Sequence, residues 1–201
     1  MARLEPLTLA EVPEELRPIF DYADELMGFT ANDVLTMARW PALLKAMQQL
    51  VGVIYGPGEL EDGLKRLVAM VVSSAAGCRY CQAHTAHGSS KLRGMTAAKI
   101  AAVWEFESSE LFDERERAAL RVARGAGQVP NAVTDGEFAG LRRHFGDREV
   151  LEIMGIIALF GFLNRWNDTL ATELEAGPLG FARDTLPAGS WEPGKHVSDP
   201  D

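Results

Sequence analysis

The sequence predicts an all-α protein, a multi-helix bundle of the kind that buries one core, followed by an irregular C-terminal tail. Three observations carry this. Apolar residues return every three or four positions along most of the chain, Gly and Pro punctuate those stretches, and no segment alternates apolar with polar residues as a half-buried strand does. The first helix is expected from about Pro13 to Met27, where Leu16, Ile19, Phe20, Ala23 and Leu26 share a face and Pro13 suits an opening turn. Thr30 or Asn32 caps a short second helix with Val34, Leu35 and Met37. Pro41 opens a third through Leu44, Met47, Leu50 and Ile54, which Gly56-Pro57-Gly58 stops. The fourth, about Glu61 to Ala76, is apolar over so wide an arc that it predicts deep burial. A fifth runs from about Cys78 to Leu92, between Gly77 and Gly94. Thr96 caps a sixth and Asp113 a seventh, and Thr134 with Glu137 has capping-box spacing for an eighth carrying Phe138, Leu141 and Phe145. The last and longest helix is expected from Asp147 to about Glu175. Its apolar middle is followed by the polar string Asn164, Arg165, Trp166, Asn167, Asp168.

The chain has 201 residues, 47% hydrophobic and 24% charged, which suits one domain with a sizeable core. That domain is expected over residues 1–176, with the Gly- and Pro-rich tail over 177–201. A net charge of -9 and a pI near 5.0 exclude a nucleic-acid partner, whose phosphates call for clustered Lys and Arg. The N-terminal residues show no apolar run of the export type, and the stretch Ile153 to Leu163 is too short to cross a bilayer. No membrane association and a cytoplasmic location are therefore expected.

Chemistry concentrates in Gly77-Cys78-Arg79-Tyr80-Cys81-Gln82-Ala83-His84-Thr85-Ala86-His87, which holds both cysteines and two of the four histidines. Two cysteines three residues apart cannot build a structural scaffold, and a close pair in a reducing compartment points to redox or metal chemistry. At a helix start, free N–H groups and the dipole favour an anion, so thiolate formation is expected to be eased. Two thiols in one turn can close a disulfide once either is oxidised. His84 lies on the face of Cys81 and can move a proton, and His87 continues the drift. Reading Cys78, Cys81, His84 and His87 as zinc ligands is disfavoured, because steps of three along a helix fan through about half a turn. Neither metal nor cofactor is expected. Asn164, Arg165, Asn167 and Asp168 are candidates to line the site from the last helix, since polar groups after a buried run need partners.

The string LKRLVAMVVSSAAGCRYCQAHTAHGSSKL, Leu64 to Leu92, resembles the alkylhydroperoxidase D-like and carboxymuconolactone decarboxylase superfamily, most specifically in its Gly-Cys-x-Tyr-Cys core. The resemblance implies an all-helical homo-oligomer. In the redox branch it implies a peroxide-reducing pair in which Cys81 is attacked first and Cys78 resolves. That branch carries a Glu twelve residues before the first cysteine and a His four after the second, where this chain has Arg66 and Thr85. Arg66 can stabilise a thiolate but cannot accept a proton, and His84 or His87 stands in for the missing relay. The resulting candidates are Cys81, Cys78, His84, His87 and Arg66. The expected function is a thiol-dependent oxidoreductase acting on a small hydroperoxide or disulfide, restored by an external thiol. Two alternatives stay open: a lactone decarboxylase-like enzyme that needs no cysteine pair, and a non-catalytic redox-sensing or binding subunit.

Overall fold

The computed structural model describes residues 2–197, with Arg93 described by its backbone alone. Among these residues the fold is all-α, and no helix is long and apolar enough to cross a membrane. A 3-10 turn, Glu14–Leu16, leads into α1 (Arg17–Met27), followed by α2 (Asn32–Met37), α3 (Pro41–Tyr55), α4 (Asp62–Ala75) and α5 (Arg79–Arg93). Next come α6 (Ala97–Ala101), which tightens into a 3-10 turn over Ala102–Glu105, then α7 (Glu114–Gly127), α8 (Asp135–Arg142), α9 (Asp147–Leu170) and α10 (Ala176–Thr185). Helix α4 is the hub, packed against α5, α7 and α9, and its residues from Leu67 to Ser73 are all buried. That burial is what its broad apolar arc predicts.

Local chemistry sets the boundaries. Thr134 Oγ1 accepts the Glu137 N–H at 3.2 Å while Glu137 accepts the Thr134 N–H at 2.9 Å, so the expected capping box forms. Asp113 and Glu116 form a second box at the start of α7. Gly77 ends the α4 segment at φ +75, a left-handed conformation that glycine adopts without strain. Directly after it, Cys78 is the N-cap of α5, and its sulfur accepts the Cys81 N–H.

Two expectations are corrected at the C-terminal end. Helix α9 stops at Leu170, with Ala171 left-handed at φ 50, instead of reaching Glu175. No Gly or Pro marks the stop. The turn is closed locally by Thr172 N–H donating to Asn167 O (3.1 Å), and the chain beyond it is tied down by a tertiary bond from Leu174 N–H to His196 O (2.8 Å). The tail is also not irregular throughout, since α10 occupies its first part and a 3-10 turn spans Gly194–His196. Pro178 sits in the opening turn of α10, where a missing N–H costs nothing, and Ala182 buries against the domain. The final residues of the expected tail, 198–201, lie outside the described residues.

Candidate active site

The site is assembled where the first turn of α5 meets α2, the end of α9 and the segment entering α10. Both sulfurs are buried, Cys78 at 0% exposure and Cys81 at 3%, and both are free thiols. Cys81 N–H reaches Cys78 Sγ at 3.4 Å, so the pair shares one helical turn. From α9, Asn167 Nδ2 donates to Cys81 Sγ (3.4 Å) and also to Asp33 Oδ2 (3.2 Å). The Asp33 carboxyl and the Cys81 sulfur therefore flank a single amide nitrogen.

A second layer lies beside this. His84 Nε2 meets Glu175 Oε2 at 2.6 Å, and the Tyr80 hydroxyl donates to Glu175 Oε1 at 2.9 Å. Asn32 N–H also donates to Glu175 Oε1, and Asp33 N–H donates to the Tyr80 hydroxyl oxygen at 3.4 Å. The Tyr80 and His84 rings stack at 4.2 Å, and Phe29 packs edge-on against His84 at 5.7 Å.

Burial dominates the electrostatics. It pushes the Cys81 thiol well up, with the neighbouring Cys78 and Asp33 adding to the effect and the Asn167 bond opposing it. The expectation that the helix start eases ionisation is thus reversed for Cys81, because desolvation outweighs the dipole. Asp33 is raised for the same reason, with Glu175 adding and His84 and Asn167 opposing. For His84, burial acts downward, yet the charge and hydrogen bond of Glu175, with Asp33, outweigh it and the imidazole is raised. Glu175 is lowered despite its own burial, held down by His84 and the Asn32 N–H.

This pairing has a signature in stability. His84 is raised above its ordinary 6.5, so its contribution is full below that value and fades as pH rises through the folded value. Glu175 is lowered below its ordinary 4.5, so its contribution is full above that value and fades as pH falls through the folded value. Urea unfolding of Glu175→Gln is expected to show the greatest loss between these two ordinary values, narrowing at alkaline pH.

Of the sequence candidates, the structure brings together Cys78, Cys81 and His84. His87 lies one turn further along α5 among Phe29 and Phe181, with ring centroids at 5.8 and 5.6 Å, and burial followed by Lys91 and His84 lowers it. Arg66 stands apart from the sulfurs. Its guanidinium lies over the Tyr55 ring at 4.3 Å and beside Gly88, roughly 10 Å along α5 from Cys81 at the helical rise per residue. Thr85, at the family's relay position, donates to Cys81 O at 2.7 Å and so turns its hydroxyl back on the helix. His84 cannot serve a four-ligand metal site with the cysteines through Nε2, which is engaged by Glu175. Asp33 and Glu175 were not visible as site residues in the sequence, for they come from a short helix and a connector far from the motif. The polar string ending α9 did point to Asn167, the buried member that reaches the sulfur.

Residues 41–125 match the carboxymuconolactone decarboxylase family. The crystal structure of the debrominase Bmp8 is 34% identical, covers 90% of this chain and 97% of its own, and superposes with a TM-score of 0.83. A cysteine-to-alanine variant of Bmp8 in complex with 2,3,4-tribromopyrrole gives 34% identity over 90% of this chain and 96% of its own, with a TM-score of 0.84. A peroxidase-related protein from Ralstonia eutropha JMP134, described as an alkylhydroperoxidase AhpD core, shares the fold at 22% identity, covering 92% and 97% of the two chains with a TM-score of 0.79. Escherichia coli K12 YnjA is 27% identical over 144 residues, 69% of this chain and 79% of YnjA. A family that includes enzymes thus surrounds this chain in both sequence and fold. With the Cys78–Cys81 motif at the head of α5 in agreement, the chain belongs to the carboxymuconolactone decarboxylase family, and its helical fold is that of the alkylhydroperoxidase AhpD core.

Proposed function

We propose that the protein is a thiol-dependent reductase in which Cys81 takes an electrophilic atom from a small organic molecule and Cys78 then closes a disulfide. The observation that carries this reading is the contact of two thiols within one turn, with the Asp33 carboxyl and the Cys81 sulfur on the same Asn167 nitrogen. A raised thiol needs a base at the moment of reaction, and a raised carboxyl is matched to take that proton and return it. With a hydroperoxide, Asp33 accepts the Cys81 proton and the sulfur attacks the terminal oxygen. The O–O bond breaks, and its electron pair leaves on the alkoxide, which takes the proton from Asp33. Cys78 then displaces the oxygen from the sulfenic acid as water. An external dithiol reduces the resulting disulfide, so one hydroperoxide and two thiols become an alcohol, water and a disulfide. His84 and Glu175 hold Tyr80 and α2 in place around this proton path. His87 and Arg66 take no part in it.

A second substrate is favoured by the likeness to Bmp8, which at 34% identity carries more weight than the more distant peroxidase-related neighbours. If the electrophile is aryl bromine, Asp33 delivers its proton to the ring carbon as the sulfur takes bromine. Cys78 then displaces bromide, giving the debrominated ring, bromide and the same disulfide. Self-association through the outer face of α9 fits this reading, because Leu151, Met154 and Phe162 there, with Leu50 and Val53 of α3, are apolar and exposed. The protein is proposed to act in the cytoplasm, where thiol reductants are plentiful.

The test mixes reduced protein separately with cumene hydroperoxide and with 2,3,4-tribromopyrrole and counts free thiols. Two thiols should be lost for each molecule of alcohol, or of bromide, released. Survival of both thiols in excess of both reagents, each tested separately, sinks the proposal.

A further inference from the structure

A donor thiol reduces a Cys78–Cys81 disulfide by bringing its own sulfur onto one of the two, in line with the bond it breaks. Both cysteine side chains are buried, so a neighbouring segment must move first. Helices α4 and α9 pack the inner side of α5 as part of the core, and on the Tyr80 side Glu175 knits α5 to α2 through His84, Tyr80 and Asn32. A third segment, the strap of residues 187–197 that follows α10, crosses the head of α5 from outside. Trp191 Nε1 donates to Arg79 O at 3.2 Å, and Arg79 Nη1 donates to Ser190 O at 3.0 Å. Arg79 directly follows Cys78, so these two bonds clasp the turn that carries both sulfurs.

Further along the strap, the His196 ring lies 6.0 Å from the Tyr80 ring and its Nδ1 donates to Thr172 O at 2.7 Å. Lys195 Nζ meets Asp168 Oδ2 at 2.8 Å, next to Asn167, whose amide holds Cys81 Sγ. The strap is therefore fastened to both α5 and the end of α9, the two elements between which the Cys81 sulfur is held. Of residues 187–197 only Trp191 and His196 are buried. Each of these anchors stands two residues after a glycine in left-handed backbone, Gly189 at φ +82 and Gly194 at φ +55, where rotation meets little steric resistance. Two anchors, pliant glycines and mostly exposed backbone make a segment that opens at lower free energy than the helices beneath it.

We propose that residues 187–197 are a gate over the thiol pair, closed by Trp191 on the Arg79 carbonyl and lifted when a donor dithiol reduces the Cys78–Cys81 disulfide. With the gate up, one donor thiol attacks a sulfur of the pair and its proton passes to the cysteine released. The second donor thiol then displaces the first from the mixed disulfide, so the protein regains two thiols and the donor leaves as a disulfide. The inference rests on the reductase reading above and adds to it the control of its reductive half.

Two variants test it. Trp191→Phe keeps an aromatic ring in the buried socket and removes the indole N–H, and adding Arg79→Met removes the second clasp. Native alkylation of the cysteines by N-ethylmaleimide, read by mass spectrometry, should quicken about fivefold in the single variant and about tenfold or more in the double, as one or two hydrogen bonds leave the closed state. Reduction of the diamide-formed disulfide by dithiothreitol should quicken by the same factors. Loss of the Arg79 charge by itself would make the thiols less acidic and slow alkylation, so a gain reports access. Hydrogen exchange should rise in the strap and stay as in wild type in α4; an equal rise in α4 would assign the gain to global unfolding and overturn the gate. Alkylation and reduction within about twofold of wild type in both variants would also overturn it, leaving the reductase reading intact. Faster alkylation of thiols that neither cumene hydroperoxide nor 2,3,4-tribromopyrrole consumes would keep the gate and sink the reductase reading.

Discussion

Replacing Cys81 with serine is expected to abolish turnover, a loss on the order of 10⁴-fold or more as for other nucleophiles removed from an active site. Replacing Cys78 should instead stop the enzyme after one event. Cys78 caps α5 by accepting the Cys81 N–H, and in the proposed mechanism it also resolves the oxidised partner. Serine does the first well, being among the favoured N-cap residues. Cys78→Ser should therefore fold normally and consume one equivalent of substrate at a near wild-type rate. It should then stall with Cys81 oxidised until an added small thiol reaches it. Rapid-mixing kinetics with mass analysis of the trapped species separates the outcomes. Full multiple turnover by Cys81→Ser would move the chemistry away from sulfur altogether, toward a decarboxylase-like activity independent of the pair.

The largest stability effect is expected far from the thiols, at Lys65 and Glu152. Lys65 is 1% exposed in its side chain, and its ammonium donates to Ile54 O (3.1 Å) and Gly56 O (3.0 Å) while Glu152 Oε2 stands 3.5 Å away. Glu152 in turn accepts from the backbone N–H groups of Glu59 and Leu60, both at 3.1 Å, and from Arg148 at 2.8 Å. Gly58 packs so tightly on this carboxylate that a Cβ there would fall 2.3 Å from Oε2. One carboxylate thus joins α9, the end of α3 and the loop into α4. Glu152→Ala leaves a buried ammonium without its counter-charge and two amides without an acceptor, and should cost ~3–5 kcal/mol in denaturant unfolding. The double variant Lys65→Met with Glu152→Leu should recover part of that loss, since no charge is then stranded.

The same group carries a pH signature. Burial acts to raise Glu152, but Arg148, the two amides and Lys65 prevail and hold its carboxyl down to about 2. Its contribution is then complete above the ordinary 4.5 and is lost as pH falls toward about 2. The acid limb of wild-type unfolding should flatten in the double variant.

Much of this was legible from one dimension. Helix periods, the Thr134 capping box and the stop at Gly77 are local matters, fixed by residues within a turn or two of each other. So is the chemical character of the Cys78 to His87 segment. Less legible was anything that a distant residue decides. The chain leaving α9 is tied by Leu174 N–H to the distant His196 carbonyl, and no breaker in the sequence signals where the helix stops. Helix α10 hides behind Gly177, Pro178 and Gly180, whose usual meaning is overridden by the burial of Ala182 and the packing of Phe181 on His87. Arg66 looked close to the cysteines by family position, but its side chain turned to Tyr55.

By itself the sequence determined that this chain is helical and that two thiols head one of its helices, because both follow from short-range spacing. Only the tertiary structure decided how those thiols behave. It buried Cys81 so that its proton is held, set Asp33 and Asn167 against the sulfur, and gave His84 its carboxylate from Glu175. Desolvation and charge act through space on residues brought together by folding, and no spacing along the chain encodes which partners will arrive.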